Sequence, residues 1–486
     1  MLRLLNIRFV LKMLGYLLVL ESFFMALTTG VAYFYQGYDA PYLLGCSIVT
    51  ILIGLLFIGI GYKADNNVTG KREGAITVSL TWLLFSFLGM MPYYVSGAIP
   101  SFTDAFFETM SGFTTTGASI LTNVEALPKG LLFWRSITQW QGGMGMIVLT
   151  LAILPLLGGG ATQLLDAETT GVNHDKFLPR ATSIAKRLWF LYVGLTSVLF
   201  LLLWAGPMEF FDAACHALTT MATGGYSTKQ LSLEYYNSAY VDYVISAFML
   251  VGGINFALLY FLFKGNWRRF VKDEELKVFL IVIAVAVVVV ASGLFIVGWT
   301  SDAEAGFRTA LFHVIALITS TGFCTTDYVL WGPFFWYIFI LLTLFCGCAG
   351  STSGGMKMIR AIILGKSTAN EFRKYSHPKA VMVVRINRQA ISPETINKVI
   401  AFVVIYLSLV MGSSLLFSVF GVGFVESFSA AVSCMSNTGP ALGSLGPSGT
   451  YAELPDTVKW LCAMLMMVGR LEIFTVLAIL TPGFWK

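Results

Sequence analysis

Charge is scarce in this 486-residue chain, with Asp, Glu, Lys and Arg at 12% of the residues. Soluble domains carry about 25%, so a water-covered surface of ordinary size is excluded. Histidine is rarer still. The four residues His174, His216, His313 and His377 are scattered, and His216 and His313 read as packed neutral imidazoles. The seven cysteines (Cys46, Cys215, Cys324, Cys346, Cys348, Cys434 and Cys462) show no C-x-x-C spacing and no partner histidines. Neither a zinc site nor a disulfide framework is indicated. No nucleophile–base–acid set is visible, so the chain does not read as an enzyme and no organic cofactor is expected. Gly365-Lys366-Ser367 ends like a phosphate-binding loop, but the required first glycine would fall at Arg360, and no strand precedes it. The net charge of +5 implies no nucleic-acid partner, because the basic residues lie in short loops between apolar runs. Asn67-Val68-Thr69 fits a glycosylation sequon, yet it falls on the side expected to be cytoplasmic.

What the chain has in abundance is apolar sequence: 57% hydrophobic residues and a mean hydropathy of +0.77. That is the composition of an integral, all-α membrane protein whose main partner is the lipid bilayer. The first run, about 11–35, is too long for a signal peptide's apolar region and lacks a small-residue cleavage site, so it reads as a retained span. A second follows at about 41–62. Further spans are expected at about 74–97, 130–158, 185–206, 238–263, 275–299, 331–363, 396–421 and 456–481, ten crossings in all. With both termini cytoplasmic, 25 of the 31 Lys and Arg residues fall on the inner side, as the positive-inside rule predicts.

A repeat organises the sequence. FTDAFFETMSGFTTTGAS (102–119) returns as FFDAACHALTTMATGGYST (210–228), FRTALFHVIALITSTGFCT (307–325) and FVESFSAAVSCMSNTGPAL (424–442). Each is a short amphipathic run ending in a Thr-Gly pair: Thr116-Gly117, Thr223-Gly224, Thr321-Gly322 and Thr438-Gly439. A Phe stands 15 residues before the glycine in three copies and 14 before it in the second. Such runs are too short to cross a bilayer. Irregular backbone at membrane depth survives only where protein buries it or it lines a watery path. The expectation is therefore four re-entrant loops around one axis, entered from outside, with helix C-termini and glycine-freed carbonyls favouring a cation. The division expected is two N-terminal helices (1–70) and four units of span, loop and span (71–183, 184–272, 273–392 and 393–486). Acidic residues mark the outer starts of the short runs: Asp104, Glu108, Glu209, Asp212, Asp302, Glu304 and Glu426. Two readings fit them, a cation-attracting vestibule or ordinary helix capping.

The spans after the loops carry glycines of their own: Gly142, Gly143 and Gly145, then Gly252 and Gly253, then Gly347 to Gly355, then Gly469. Close helix packing accounts for three of these groups. It does not account for CGCAGSTSGGMK (346–357), where a helix should break, and the broken backbone must face water or protein. Lying inward of the loops, this stretch is a candidate gate. Arg470 sits within the last span, where a lone Arg costs about 2.5–3.5 kcal/mol on insertion scales. A pair with Glu472 is disfavoured, because helix positions two apart do not face each other. A place on the ion path, repelling a cation at the gate, fits better.

Together these segments (TTTGA, ATGGY, STGF, NTGPA, GSTSGGMK and VGRLE) resemble the TrkH/KtrB potassium transporters, whose superfamily includes the fungal Trk and plant HKT proteins. The resemblance covers essentially the whole chain, and the extra N-terminal pair of spans looks most like the bacterial TrkH branch. It implies a potassium filter at Thr115, Thr116, Gly117, Ala118, Ala222, Thr223, Gly224, Gly225, Ser320, Thr321, Gly322, Phe323, Asn437, Thr438, Gly439 and Pro440. It further implies an intramembrane gate of Gly347, Gly350, Ser351, Thr352, Ser353, Gly354, Gly355, Lys357 and Arg470. The implied activity is potassium uptake across the bacterial inner membrane, gated and driven by membrane potential, with K+ as cargo. The alternative is a symporter coupled to sodium or protons. Also implied are a homodimer and cytosolic TrkA-type nucleotide-binding subunits, with the basic stretch Lys357–Lys398 as part of their dock.

Overall fold

In lipid a backbone must satisfy its own hydrogen bonds, and the described residues do so by folding mostly into helices. The computed structural model describes residues 5–64, 70–156, 181–380 and 382–485. The sequon at Asn67 lies outside them. Among the described residues, strand is confined to two pairs of two-residue segments, Phe345–Cys346 beside Met356–Lys357 and Arg385–Ile386 beside Gln389–Ala390.

Six helices among the described residues are long and apolar enough to cross a membrane: Ile7–Phe34, Ala40–Gly61, Arg72–Val95, Lys186–Trp204, Glu274–Ile296 and Pro393–Val419. The expected spans at 238–263 and 456–481 are each two helices meeting at a sharp bend. Ala239–Gly253 turns 106° into Phe256–Phe263, and Asp456–Arg470 turns 115° into Phe474–Leu480. The expected span at 331–363 is the short helix Pro333–Leu344, an irregular loop, and the start of Met358–Ser376. Among the described residues, counting each bent pair as one span gives up to eight by length and composition. Hydropathy registers how apolar a stretch is but not the direction it takes, so the two bends were invisible to it, whereas the break within 331–363 falls where the glycines of 346–357 place it.

The first two helices form an antiparallel pair in which glycines remove the steric barrier. A Cβ on Gly15 would lie 2.6 Å from the Gly54 carbonyl oxygen, and one on Gly61 2.6 Å from that of Arg8. Two large apolar cores follow. One joins the N-terminal helices to Phe102–Phe113 and to the last third of the chain through residues such as Phe107, Trp134 and Met466. The other joins the middle of the chain through Tyr192, Met249, Phe279 and Phe312. Phe113 and Cys434 belong to the first, Met221 and Phe323 to the second, so the repeated loops lie along the seam between them.

Candidate functional site

The four repeats do form short helices: Phe102–Phe113, Phe210–Met221, Ala303–Ile318 and Phe424–Ser436. Each starts with an acidic residue in its first turn, complementing the helix dipole. Each ends the same way. The N–H of Thr116 reaches the Ser111 carbonyl at 2.9 Å, Gly224 that of Thr219 at 2.9 Å, Thr321 that of Ala316 at 2.8 Å, and Thr438 that of Ser433 at 3.0 Å. This is the six-to-one bond of a Schellman cap, whose preceding residue must be left-handed and is usually glycine. Here it is Thr115 (φ 55°), Thr223 (φ 52°), Ser320 (φ 52°) and Asn437 (φ 56°). Non-glycine residues in this region cost about 1–3 kcal/mol each and cluster at functional sites.

That cap fixes the register, and it corrects the second loop. Two residues after each left-handed cap comes a left-handed glycine: Gly117, Gly225, Gly322 and Gly439. The partner of Gly117 is thus Gly225, not Gly224, and the segment matching Thr115–Ala118 is Thr223–Tyr226. Ala222 caps the helix instead. The 14-residue spacing disappears, since Phe210 stands 15 residues before Gly225 as in the other copies. Sequence matching was misled because the second loop has two adjacent glycines after one threonine.

The loops meet in cyclic order. A Cβ on Gly117 would overlap the carbonyl oxygen of Gly224, one on Gly225 that of Thr321, one on Gly322 that of Thr438, and one on Gly439 that of Thr116. Only glycine fits against the next loop at these positions, and its positive φ, between 77° and 98°, is also one that other residues resist. Tyrosine hydroxyls brace two loop carbonyls: Tyr226 donates to Ala118 O at 3.2 Å, and Tyr451 to Gly439 O at 2.9 Å. Outside the four glycines lies a cavity of about 90 Å³ lined by Arg135, Tyr226, Lys229, Gln230 and Tyr451 among others, with no carboxylate.

Beneath the ring sits the glycine-rich stretch. Thr352 Oγ1 lies 3.2 Å from Met221 O and 3.1 Å from Gly252 O, and accepts from Thr223 Oγ1 at 3.3 Å. The Gly354 N–H donates to Ser320 Oγ at 2.7 Å, while a Cβ on Gly354 would strike the end of the fourth short helix at Ser436 and Asn437. Gly347 and Gly350 pack on Gly253 O and Asn255, Gly355 on Cys346, and Ser351 Oγ donates to Cys348 O at 2.6 Å. Lys357 donates to Ser353 O. Arg470, buried, donates from Nη1 to Thr352 O and from Nη2 to Gly142 O, both at 2.9 Å. It is the last residue of its helix, at the 115° bend rather than mid-span. Glu472 pairs with Arg360 instead. The glycines of the other post-loop helices serve close packing: Gly142 against Phe113 O, Gly252 against Thr223, and Gly469 against Met435 O.

The chain matches the model of a family described as TrkH, cation transport protein, over residues 58–482. It is 33% identical over 492 residues to the Trk system potassium uptake protein TrkH of Halomonas elongata, covering 99% of this chain and 100% of that one. It is 34% identical over 485 residues to the protein of the same name from Escherichia coli K12, with the same coverage. Its structure superposes on the crystal structure of the potassium transporter TrkH from Vibrio parahaemolyticus with a TM-score of 0.90 at 31% identity, covering 99% of this chain and 100% of that one. The chain belongs to the TrkH family. That family comprises transporters, not enzymes.

In this TrkH-family chain five of the seven acids at the starts of the short helices are engaged. Asp104 pairs with Lys459 at 2.6 Å, Glu108 with Arg135 at 2.7 Å, Asp212 with Lys229 at 3.6 Å, and Glu304 with Arg308 at 3.6 Å. Asp302 caps its helix at Glu304 N. Capping and pairing thus account for them better than an open acidic vestibule. The stretch Lys357–Lys398 is not one basic loop either, because Lys357 and Arg360 are buried and Lys366 pairs with Glu274. His216 and His313 are buried with both ring nitrogens on hydrogen-bond partners. Two residues near the site carry no motif: Gln139, whose Nε2 donates to Gly224 O at 2.6 Å, and Glu275, which accepts from Ala349 N and Ile359 N. Only proximity in the fold distinguishes them.

Proposed function

We propose that this chain takes potassium into the cell across the bacterial inner membrane, through a path on the axis of the four loops. The observation that carries the reading is the closed ring, in which each loop glycine abuts the next loop's carbonyl. The carbonyls of Thr115–Ala118, Thr223–Tyr226, Ser320–Phe323 and Asn437–Pro440 replace the ion's water shell. The four short helices point their negative ends toward it. Four repeated units of span, loop and span then surround one path, behind two N-terminal helices, with both termini cytoplasmic. The stretch Gly347–Gly355 blocks the inner side and moves aside to open it, with Arg470 as its latch and its charge repelling a cation while closed. A membrane potential supplies about 2.3 kcal/mol per charge per 100 mV. A homodimer and cytosolic nucleotide-binding subunits of the TrkA type complete the assembly, the latter on the exposed part of 373–392.

Potassium and rubidium uptake into liposomes holding the purified protein, with sodium and pH gradients absent, tests this. Uptake that follows the imposed voltage alone supports the gated path. Uptake that needs a second gradient supports a symporter. One observation favours that second reading. Glu21, on the first helix, is wholly buried, and among the described residues neither of its carboxyl oxygens has a hydrogen-bond partner, the kind of intramembrane group a proton-coupled carrier uses. Under the gated-path reading, Glu21→Gln leaves voltage-driven uptake unchanged. A proton-coupled carrier would lose its response to a pH gradient.

A further inference from the structure

Three of the four loops hold themselves with a pair of hydroxyls. Thr114 and Thr116 lie 2.8 Å apart through their side-chain oxygens, Thr319 and Thr321 2.8 Å, and Ser436 and Thr438 2.9 Å. The corrected register places Ala222 and Gly224 at these positions in the second loop, and neither carries a hydroxyl. The gap is filled from another part of the chain. Gln139, on the helix Lys129–Leu156 after the first loop, is buried and brings its carboxamide to Gly224. Its Nε2 donates to Gly224 O at 2.6 Å, and its Oε1 accepts from Tyr226 N at 3.1 Å. A Cβ on Gly224 would overlap that carboxamide. The glutamine therefore occupies the space of the side chain the second loop lacks.

We infer that Gln139 is a positioning residue for ion discrimination, standing in trans for the missing hydroxyl pair. The inference rests on the reading of the loops as the ion-selecting ring. The Gly224 carbonyl is the ring member that Gly117 abuts, equivalent to those of Thr321, Thr438 and Thr116. Among the described residues, it alone of these four receives a side-chain N–H. That bond does two things. It fixes the direction of a carbonyl whose own residue, a glycine, gives it no restraint. It also draws on a lone pair that a cation would otherwise use, so the ring binds an ion with three full carbonyls and one shared. Among the described residues, the second loop is thus the one whose abutted carbonyl is held by a side chain from outside the loops.

The test measures rubidium and sodium uptake into liposomes by Gln139→Leu, by Gly224→Thr and by the double variant Gln139→Ala/Gly224→Thr, with Gly322→Ser as a control. Net hydrogen-bond strengths imply a fall in the rubidium-to-sodium ratio of about threefold to tenfold for Gln139→Leu. Gly224→Thr alone loses discrimination, because the threonine and the glutamine compete for one space. The double variant regains at least part of it, which a merely structural glutamine would not produce. If Gln139→Leu keeps the wild-type ratio, or the double variant is no better than Gly224→Thr, the inference fails. If Gly322→Ser also leaves the ratio unchanged, the reading of the ring itself fails with it. Thermal unfolding of each variant in detergent separates both results from loss of the fold.

Discussion

At the loop glycines a single added carbon is enough to break the ring. Gly117 has a φ of 83°, and a Cβ there would meet the Gly224 carbonyl, so Gly117→Ser must displace one of the four oxygens or unwind its own loop. Discrimination against sodium should fall, read as the rubidium-to-sodium flux ratio; an unchanged ratio would remove Gly117 from the filter. Arg470 acts through direction as well as charge. Its two nitrogens hold Thr352 O and Gly142 O at once, joining the glycine-rich stretch to the helix after the first loop. Arg470→Ala should raise rubidium flux by releasing that latch. A single ammonium has no fork to span two carbonyls, so Arg470→Lys should lie between. Flat or reduced flux at normal expression would make Arg470 a structural residue.

Among the elements, the broken spans matter more than the continuous ones. Ala239–Gly253 stops where Gly252 O and Gly253 O accept from Thr352 N and Cys348 N, so its last turn is finished by the glycine-rich stretch rather than by its own continuation. Phe256 N then takes Gly350 O, and the next helix leaves at 106°. The stretch is held at both ends by one carboxyl, since Glu275 Oε1 accepts from Ala349 N at 2.8 Å and from Ile359 N at 3.0 Å. Glu275→Ala removes both anchors and should increase basal flux, whereas Glu275→Gln keeps an acceptor oxygen and should have a smaller effect. Equal flux in all three proteins would separate Glu275 from gating.

Across the whole molecule, charge pairs tie distant parts of the chain around the loops. Arg135 donates to Glu108 on the first short helix and to Ser227 O after the second loop, and lies 3.5 Å from the centre of the Tyr226 ring. Lys459 reaches Asp104 over a separation of 355 residues. Both members of the Glu108–Arg135 pair are buried, and removing one partner of such a pair costs about 3–5 kcal/mol. Arg135→Leu should lower the unfolding temperature in detergent markedly, and adding Glu108→Gln should restore part of it. A double variant no more stable than the single would show that the arginine serves packing on Tyr226 instead.

Much of this was written in one dimension. Composition placed the chain in the membrane, the repeat announced four short helices ending in loops, and the run from Cys346 to Lys357 announced a break, because each follows from residues close together in sequence. The register of the second loop did not, since only the cap bond from Gly224 to Thr219 and the left-handed φ of Gly225 distinguish two adjacent glycines. Nor did the bends at Ile254 and Leu471, the pairing of Glu472 with Arg360, or the place of Gln139 against Gly224. Those depend on atoms brought together from 85 or more residues apart, or on which way a helix turns. Local chemistry decides where a helix can form and stop. Which carbonyl meets which side chain is decided only when the separate stops are packed around one axis.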